Sequence, residues 1–184
     1  GDFGIVTQFD LTSVDIGNGQ DLGVGGSQPS SVNVYTIAAG DALTFANLNL
    51  VASTPVTVND ASLTVVNFPV TGSVVNPATD DLVVELFTPD GQTTGNSLFV
   101  GSNPNGQTGP TYIAAADCGI VDPLDTGSLG FPDMHWVLVV NGDDDTGGCN
   151  LNFAPFKVNR TANGVLVNYS MTLDHNRGAV QKSA

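Results

Sequence analysis

The sequence predicts an all-β protein, an antiparallel β-sandwich of jelly-roll-like architecture with an extended strand at its N-terminus. Strong helix formers are rare, since the chain has one Glu (Glu85), two Lys and two Met. Val, Thr, Asn, Gly and Ser are plentiful, and these residue types suit pleated strands and tight turns. Apolar and polar residues alternate with a period of two along several segments, which is typical of half-buried strands.

The first predicted element is a strand over residues 3–14. Its apolar face carries four side chains: Phe3, Ile5, Phe9 and Leu11. Residues 17–31 follow and are rich in Gly, Gln, Asn and Ser, a composition typical of a flexible tether. The sequence therefore divides into an N-terminal strand with its tether, residues 1–31, and a sandwich body, residues 32–184.

The body reads as a series of short strands separated by turn residues. The predicted strands cover residues 32–37, 42–51, 56–68 with a break at 59–60, 70–75, 82–87, 97–100, 136–140, 150–158 and 165–173. Turns are expected at 39–41, 89–91 and 141–148, where Gly, Asp, Asn and Pro concentrate. The run at 136–140 is the most apolar, so we expect it to form a central strand.

The strongly negative net charge of the chain limits the classes of partner that we expect. The chain has 4 Lys and Arg against 18 Asp and Glu. Nucleic acids and anionic membranes are bound through basic patches, so neither is an expected partner. The apolar runs are only as long as strands, which excludes a membrane-spanning helix. The acidic surface instead favours cations or mutual repulsion between copies.

Two cysteines and two glycosylation motifs indicate a secreted protein. Cys118 and Cys149 stand far apart in sequence, and a closed zinc site would need more ligands than His135 and His175 provide. We therefore expect a disulfide, which in the chain-entropy model stabilises the fold by about 3–4 kcal/mol. The sequons at Asn159 and Asn168 are candidate glycosylation sites. Both features predict an extracellular or cell-surface location.

Few features of the sequence indicate a catalytic site. The sequence has no Gly-x-Ser-x-Gly elbow, and its two histidines are interpreted as turn or strand-edge residues. A glycosidase would need two facing carboxylates, and no pair among the acidic residues is singled out. We therefore predict a non-enzymatic protein and keep a hydrolase with an unrecognised carboxylate pair as the third hypothesis.

Calcium is the candidate cofactor. Asn141, Asp143 and Asp145 place side-chain oxygens at alternate positions of an Asp-rich turn, and calcium prefers several oxygen ligands. The alternative is a solvated hairpin turn, because Asp and Gly are also ordinary turn residues. Further candidates are Asp80 with Asp81, and the group of Asp117, Asp122 and Asp125.

Two segments resemble the P-domain that accompanies subtilisin-like proprotein convertases and occurs in bacterial secreted proteins. Residues 80–91 resemble the strand of that family that ends in a Pro-Asp-Gly-type turn. Residues 136–148 resemble its Trp-bearing strand and Gly-Asp turn. The resemblance implies a jelly roll and an accessory or carbohydrate-binding role beside a secreted hydrolase. For a sugar site, Tyr35 and Tyr112 are the candidate stacking residues.

The layout is similar to that of subunits of extracellular filaments that polymerise by donor-strand exchange. In such subunits an amphipathic strand inserts into a sandwich of the next copy, where it pairs with backbone groups and fills the core. The leading hypothesis is a homopolymeric structural subunit that donates residues 3–14. The alternative is that residues 3–14 form the first strand of their own domain.

Overall fold

The structure, a computed structural model, describes residue 5 and residues 7–89, 91–103 and 110–144, and the backbone of strands within 151–173. The strands are β1 (Phe9–Leu22), β2 (Ser27–Ala38), β3 (Asn49–Asn59), β4 (Ala61–Val74), β5 (Asp80–Phe87), β6 (Ser97–Val100), β7 (Ser102–Asn103), β8 (Tyr112–Ala115), β9 (Ile120–Asp125), β10 (His135–Trp136), β11 (Leu138–Asp144), β12 (Leu151–Phe153), β13 (Lys157–Thr161), β14 (Gly164–Asn168) and β15 (Met171–Leu173). One short helix, α1 (Gly91–Thr94), and 3-10 turns at Phe45–Asn47, Ala116–Cys118 and Thr126–Leu129 complete the described elements.

Two antiparallel sheets form the body. The first has the order β11-β1-β4, and the second half of β1 also pairs with β6. The second sheet has the order β3-β2-β5. Buried side chains of both sheets pack into one hydrophobic cluster, so the predicted all-β antiparallel sandwich is confirmed.

The core is built mainly from small branched side chains, as the Val-rich sequence predicts. Val14, Val32 and Val34 are completely buried at its centre. The other members of the cluster are Leu11, Ile16, Val58, Phe68 and Val70. Because β1 and β2 supply most of this cluster, the N-terminal part of the chain is integral to the core.

The predicted tether at 17–31 is wrong. β1 continues to Leu22 and β2 begins at Ser27, so only residues 23–26 lie outside strands. The predicted boundary at residue 31 therefore falls inside β2. Glycine content suggested flexibility, but Gly17 and Gly101 instead allow two backbones to approach, with Gly101 N donating to Gly17 O at 2.6 Å.

For the other predicted strands and turns, the structure confirms one boundary and changes several others. The predicted break at 59–60 does separate β3 from β4. Residues 42–51 are not one strand, because a 3-10 turn at Phe45–Asn47 precedes β3. The predicted last strand, 165–173, is divided into two strands: β14 pairs with β13, and β15 pairs with β12. The predicted strand 136–140 is divided: Trp136 belongs to β10, which pairs with β7, and residues 138–140 belong to β11, at the edge of the first sheet instead of its centre.

Candidate functional site: the β1 slot and an apolar groove

The slot filled by β1 is the feature on which the leading hypothesis depends. β1 lies between β4 and β11, and residues 9–16 pair with both strands. Leu11, Val14 and Ile16 point into the core and are 3%, 0% and 3% exposed. Residues 9–14 therefore form the first strand of their own domain in this structure, the second of the two alternatives for the N-terminal segment.

The four side chains predicted to insert into a neighbouring subunit differ in where the structure places them. Leu11 is buried in the core, and Phe9 packs against the core from the end of β1. Ile5 precedes β1 and is half-buried, whereas Phe3 lies outside the described residues. Simple alternation fails after Leu11, because a register shift between Leu11 and Ser13 turns the next inward position to Val14.

The outer face of β1 carries a polar row. Asn67 Nδ2 of β4 donates to Asp15 Oδ1 at 2.6 Å, and Asn141 Nδ2 of β11 donates to Asp15 Oδ2 at 3.0 Å. These two bonds, that from Asn67 first, lower the pKa of Asp15. Bonds from Ser73 and then Gln8 lower the pKa of Asp10 in the same way. Side-chain bonds therefore reinforce the backbone ladder on both sides of β1.

A buried polar cluster lies where β1 leaves the sheet. A register shift between Asn18 and Gln20 brings Asn18 and Asp21 to positions opposite Val100 and Leu98, so both face inward. They are 6% and 1% exposed.

Asp21 is the charged member of this cluster. Gln28 Nε2 donates to Asp21 Oδ1, whereas Asp21 Oδ2 and both polar atoms of Asn18 have no hydrogen-bond partner among the described residues. Burial, followed by the nearby charge of Asp60, raises the pKa of Asp21, against hydrogen bonds from Gln28 and Leu22. The ionised carboxylate therefore weakens this end of β1.

Asp21→Asn is expected to stabilise the protein at pH 7 and to have little effect near pH 3. The folded-state pKa of Asp21 is raised, so its contribution favours folding below the unfolded value and is lost as pH rises through the folded value. The amide removes that loss, and a gain of about 1 kcal/mol would raise Tm by about 2–4 °C. Thermal melts of both proteins from pH 3 to 7 test this, and a Tm difference independent of pH would contradict it.

The hinge between the sheets consists of residues 23–26. Gly25 and Gly26 have φ of +85° and +91°, values that glycine adopts without strain. Four hydrogen bonds hold the turn among the described residues: Gly26 N to Gly23 O at 3.0 Å, Gly23 N to Asp60 Oδ1 at 2.6 Å, Val24 N to Asn96 Oδ1 at 2.8 Å, and Asp60 N to Gly26 O at 2.9 Å. This short turn links β1 to β2, which lies in the other sheet.

A second feature is an apolar groove with a volume of about 340 Å³. It runs along consecutive residues of two segments, 82–86 of β5 and 110–114 around β8. Tyr35, Tyr112 and Trp136 also line it. Sequence analysis missed this groove because segments far apart in the chain supply its walls.

Glu85 is the acidic residue among those that line the groove. Its Oε2 accepts hydrogen bonds from Asn33 Nδ2 and from the Tyr35 hydroxyl, both at 2.8 Å. Burial, together with the bond to Glu85 and its negative charge, raises the pKa of Tyr35 to about 12. The tyrosine is therefore a neutral donor at physiological pH. The groove is lined mainly by apolar residues, with Glu85 as the acidic residue among them.

Two of the three predicted calcium ligands lie in a strand and not in the predicted turn. Asn141 and Asp143 belong to β11, so the predicted turn at 141–148 is wrong for residues 141–144. The side-chain amide of Asn141 donates hydrogen bonds to Ser13 and Asp15 of the neighbouring strand β1. Asp145 lies outside the described residues. Among the described residues no three His, Cys, Asp or Glu side chains come together as a metal site, and calcium binding stays a prediction.

The remaining calcium candidates are dispersed. Asp80 accepts from Thr79, and Asp122 Oδ1 accepts from Phe45 N at 2.9 Å. Asp125 Oδ1 accepts from Gly127 N at 2.8 Å and caps a 3-10 turn. These contacts are typical of turn and cap residues.

The cysteine and glycosylation predictions stay untested. Cys118 is exposed at the end of a 3-10 turn, and Cys149 lies outside the described residues. Asn159 and Asn168 lie in β13 and β14, opposite Leu166 and Lys157 respectively. None of the helices that the structure describes is long and apolar enough to cross a membrane.

Comparisons with protein-family models, with curated proteins and with solved structures found no match to this chain. The resemblance to P-domains therefore rests on residues 80–91 and 136–148 alone. Within them, residues 80–87 form β5. Function has to be argued from the β1 slot and the groove.

Proposed function

We propose that this chain is a non-enzymatic secreted structural protein, a subunit of an extracellular filament or matrix fibre. In the fibre, β1 of one copy takes the place that β1 of the next copy occupies in the single chain. The observation that carries the proposal is the combination of a central strand with a glycine hinge. β1 fills a slot between two strands, and residues 23–26 join it to the other sheet.

Exchange is physically feasible because every contact of β1 can be reproduced between copies. The same sequence enters the same slot, so registers with β4 and β11 and the buried Leu11, Val14 and Ile16 are retained. Only the hinge has to change conformation. An empty slot would expose two strand edges and part of the core, which favours rapid refilling by a neighbouring β1.

Gly25→Ala is expected to shift the protein from monomer towards higher oligomers. Alanine at φ of +85° costs about 1 kcal/mol in the closed turn, and opening of the hinge releases this strain. The equilibrium should shift about fivefold. Gly40→Ala is the matched control, because Gly40 has φ of +89°, a Cβ there also meets no atom within 4 Å, and it lies outside the hinge.

Light scattering and negative-stain microscopy of the two variants test the proposal. Both should lose similar stability, but only Gly25→Ala should assemble more readily than the wild type. Equal assembly by the two variants, or none by any protein at high concentration, would count against strand exchange.

The alternative function is a P-domain-like accessory or carbohydrate-binding module of a secreted hydrolase. The observation in its favour is that Tyr35, Tyr112 and Trp136 line one groove. Trp136 is the single tryptophan, so its fluorescence reports on ligands that enter there. Saturable quenching by soluble polysaccharides supports this alternative, and unchanged emission across a broad panel removes it.

A further inference from the structure

Positive charge in this chain is confined to its C-terminal part. All four basic residues lie beyond position 150: Lys157, Arg160, Arg177 and Lys182. Every acidic residue except Asp174 lies before position 151. The sandwich bodies of two copies therefore both carry negative charge and repel each other. A favourable contact between oppositely charged side chains of two copies must use the C-terminal part of one of them.

The groove has the form of a site for an extended segment. Residues 82–86 line it without interruption, and because neighbouring residues of a strand point to opposite faces, the groove follows the edge of β5. In the part of the chain that the structure describes, β5 pairs with β2 alone. Five residues of an unpaired edge span about 16 Å, which is enough for a short strand to add to the sheet.

The hairpin of β13 and β14 matches this groove in length and composition. Each of its strands has five residues. Its register puts Val158 opposite Val167 and Arg160 opposite Val165, so these four positions share one face. In sequence, three of these positions are Val and one is Arg, and the groove is likewise lined mainly by apolar residues with one acidic residue, Glu85.

We propose that the groove along β5 binds the β13–β14 hairpin of a second copy, with Arg160 paired to Glu85. This docking rests on the proposed function, since it supplies a second contact between subunits of the same fibre. An acidic groove on one copy and a basic hairpin on the next form a heterologous contact, which propagates into a chain of subunits. Glu85 then gains a cationic partner, which residues 1–150 cannot provide.

A reciprocal charge swap in the full-length protein tests this docking. Arg160→Glu alone and Glu85→Lys alone should each weaken association about tenfold or more, because each puts like charges together in the groove. An equimolar mixture should regain wild-type association, because each groove then meets a hairpin of opposite charge. Glu85→Gln keeps an acceptor for the bonds from Asn33 and Tyr35 and removes only the charge, so it should weaken association less than Glu85→Lys and replaces that variant if it unfolds.

The outcomes separate the alternatives. Rescue in the mixture supports docking between copies. Rescue only when Arg160→Glu and Glu85→Lys are combined in one chain would mean that the hairpin binds the groove of its own chain, and overturns the proposal. Wild-type association that neither single variant weakens overturns the docking alone. A wild-type protein that stays monomeric at every concentration overturns the docking and the proposed function together.

Discussion

Leu11→Ala is expected to lower the free energy of unfolding by about 2–5 kcal/mol. Leu11 is 3% exposed and belongs to the central cluster of the sandwich, and its Cδ1 lies 3.5 Å from the position that a Cβ at Gly72 would occupy. Truncation removes buried apolar surface and leaves a cavity between the two sheets. Denaturant unfolding of the monomer, followed by tryptophan fluorescence, measures the loss.

Leu63→Ala is the matched control for this prediction. Leu63 is 89% exposed near the start of β4, so the same truncation should change stability by less than about 0.5 kcal/mol. A free N-terminal strand on a flexible tether would make the two variants equally harmless. Equal stability of Leu11→Ala and Leu63→Ala would therefore show that β1 is not part of the core of the single chain.

Gly101→Ala is expected to destabilise the protein by about 1–3 kcal/mol. A Cβ at this position would lie 2.8 Å from the carbonyl carbon of Gly17 and 3.1 Å from the amide nitrogen of Asn18. Both are backbone atoms and cannot rotate away, so β1 would have to move from the segment that follows β6. The hydrogen bond from Gly101 N to Gly17 O would lengthen at the same time.

Gly127→Ala provides the comparison for this effect. The nearest atoms to a Cβ at Gly127 are carboxylate oxygens of Asp125 at 3.3 Å, and that side chain can adjust. Chemical denaturation of both variants should therefore separate them by more than about 1 kcal/mol. If Gly127→Ala costs as much as Gly101→Ala, the close approach of β1 at Gly17 is not a determinant of stability.

The sequence predicted the fold class well because alternation and turn residues are local signals. The break at 59–60 was predicted from the turn-forming pair Asn-Asp. The end of the strand at 82–87 was predicted from the turn-forming sequence Pro-Asp-Gly. The register of β1 could not be predicted beyond Leu11, since the bulge before Ser13 depends on pairing with β4 and β11. The tether prediction failed because Gly17 was interpreted as a flexible residue when its role is close backbone contact.

The candidate site was only partly predictable for a similar reason. Leu11 was correctly placed on an apolar face, but the slot that receives it is formed by strands distant in sequence. The groove depends on residues 82–86 and 110–114 meeting in space, which no local pattern reveals. Asn141 was predicted in a turn because Asn and Gly favour turns, yet pairing with β1 extends the strand through Asp144.

Disulfide mapping between copies tests the exchange of β1 most directly. Asp15 of β1 and Asn67 of β4 are directly opposite, a separation that suits a disulfide. One full-length protein carries Asp15→Cys and another carries Asn67→Cys, and they are mixed under assembly conditions and then oxidised. A chain that carries both substitutions serves as the control for geometry.

Strand exchange predicts that peptide mass spectrometry of the mixture will find residue 15 of one copy joined to residue 67 of the other. The doubly substituted chain should form the same bond within itself as a monomer. If the doubly substituted chain forms this bond but the assembled mixture never does, β1 stays in its own sandwich and the exchange mechanism is contradicted.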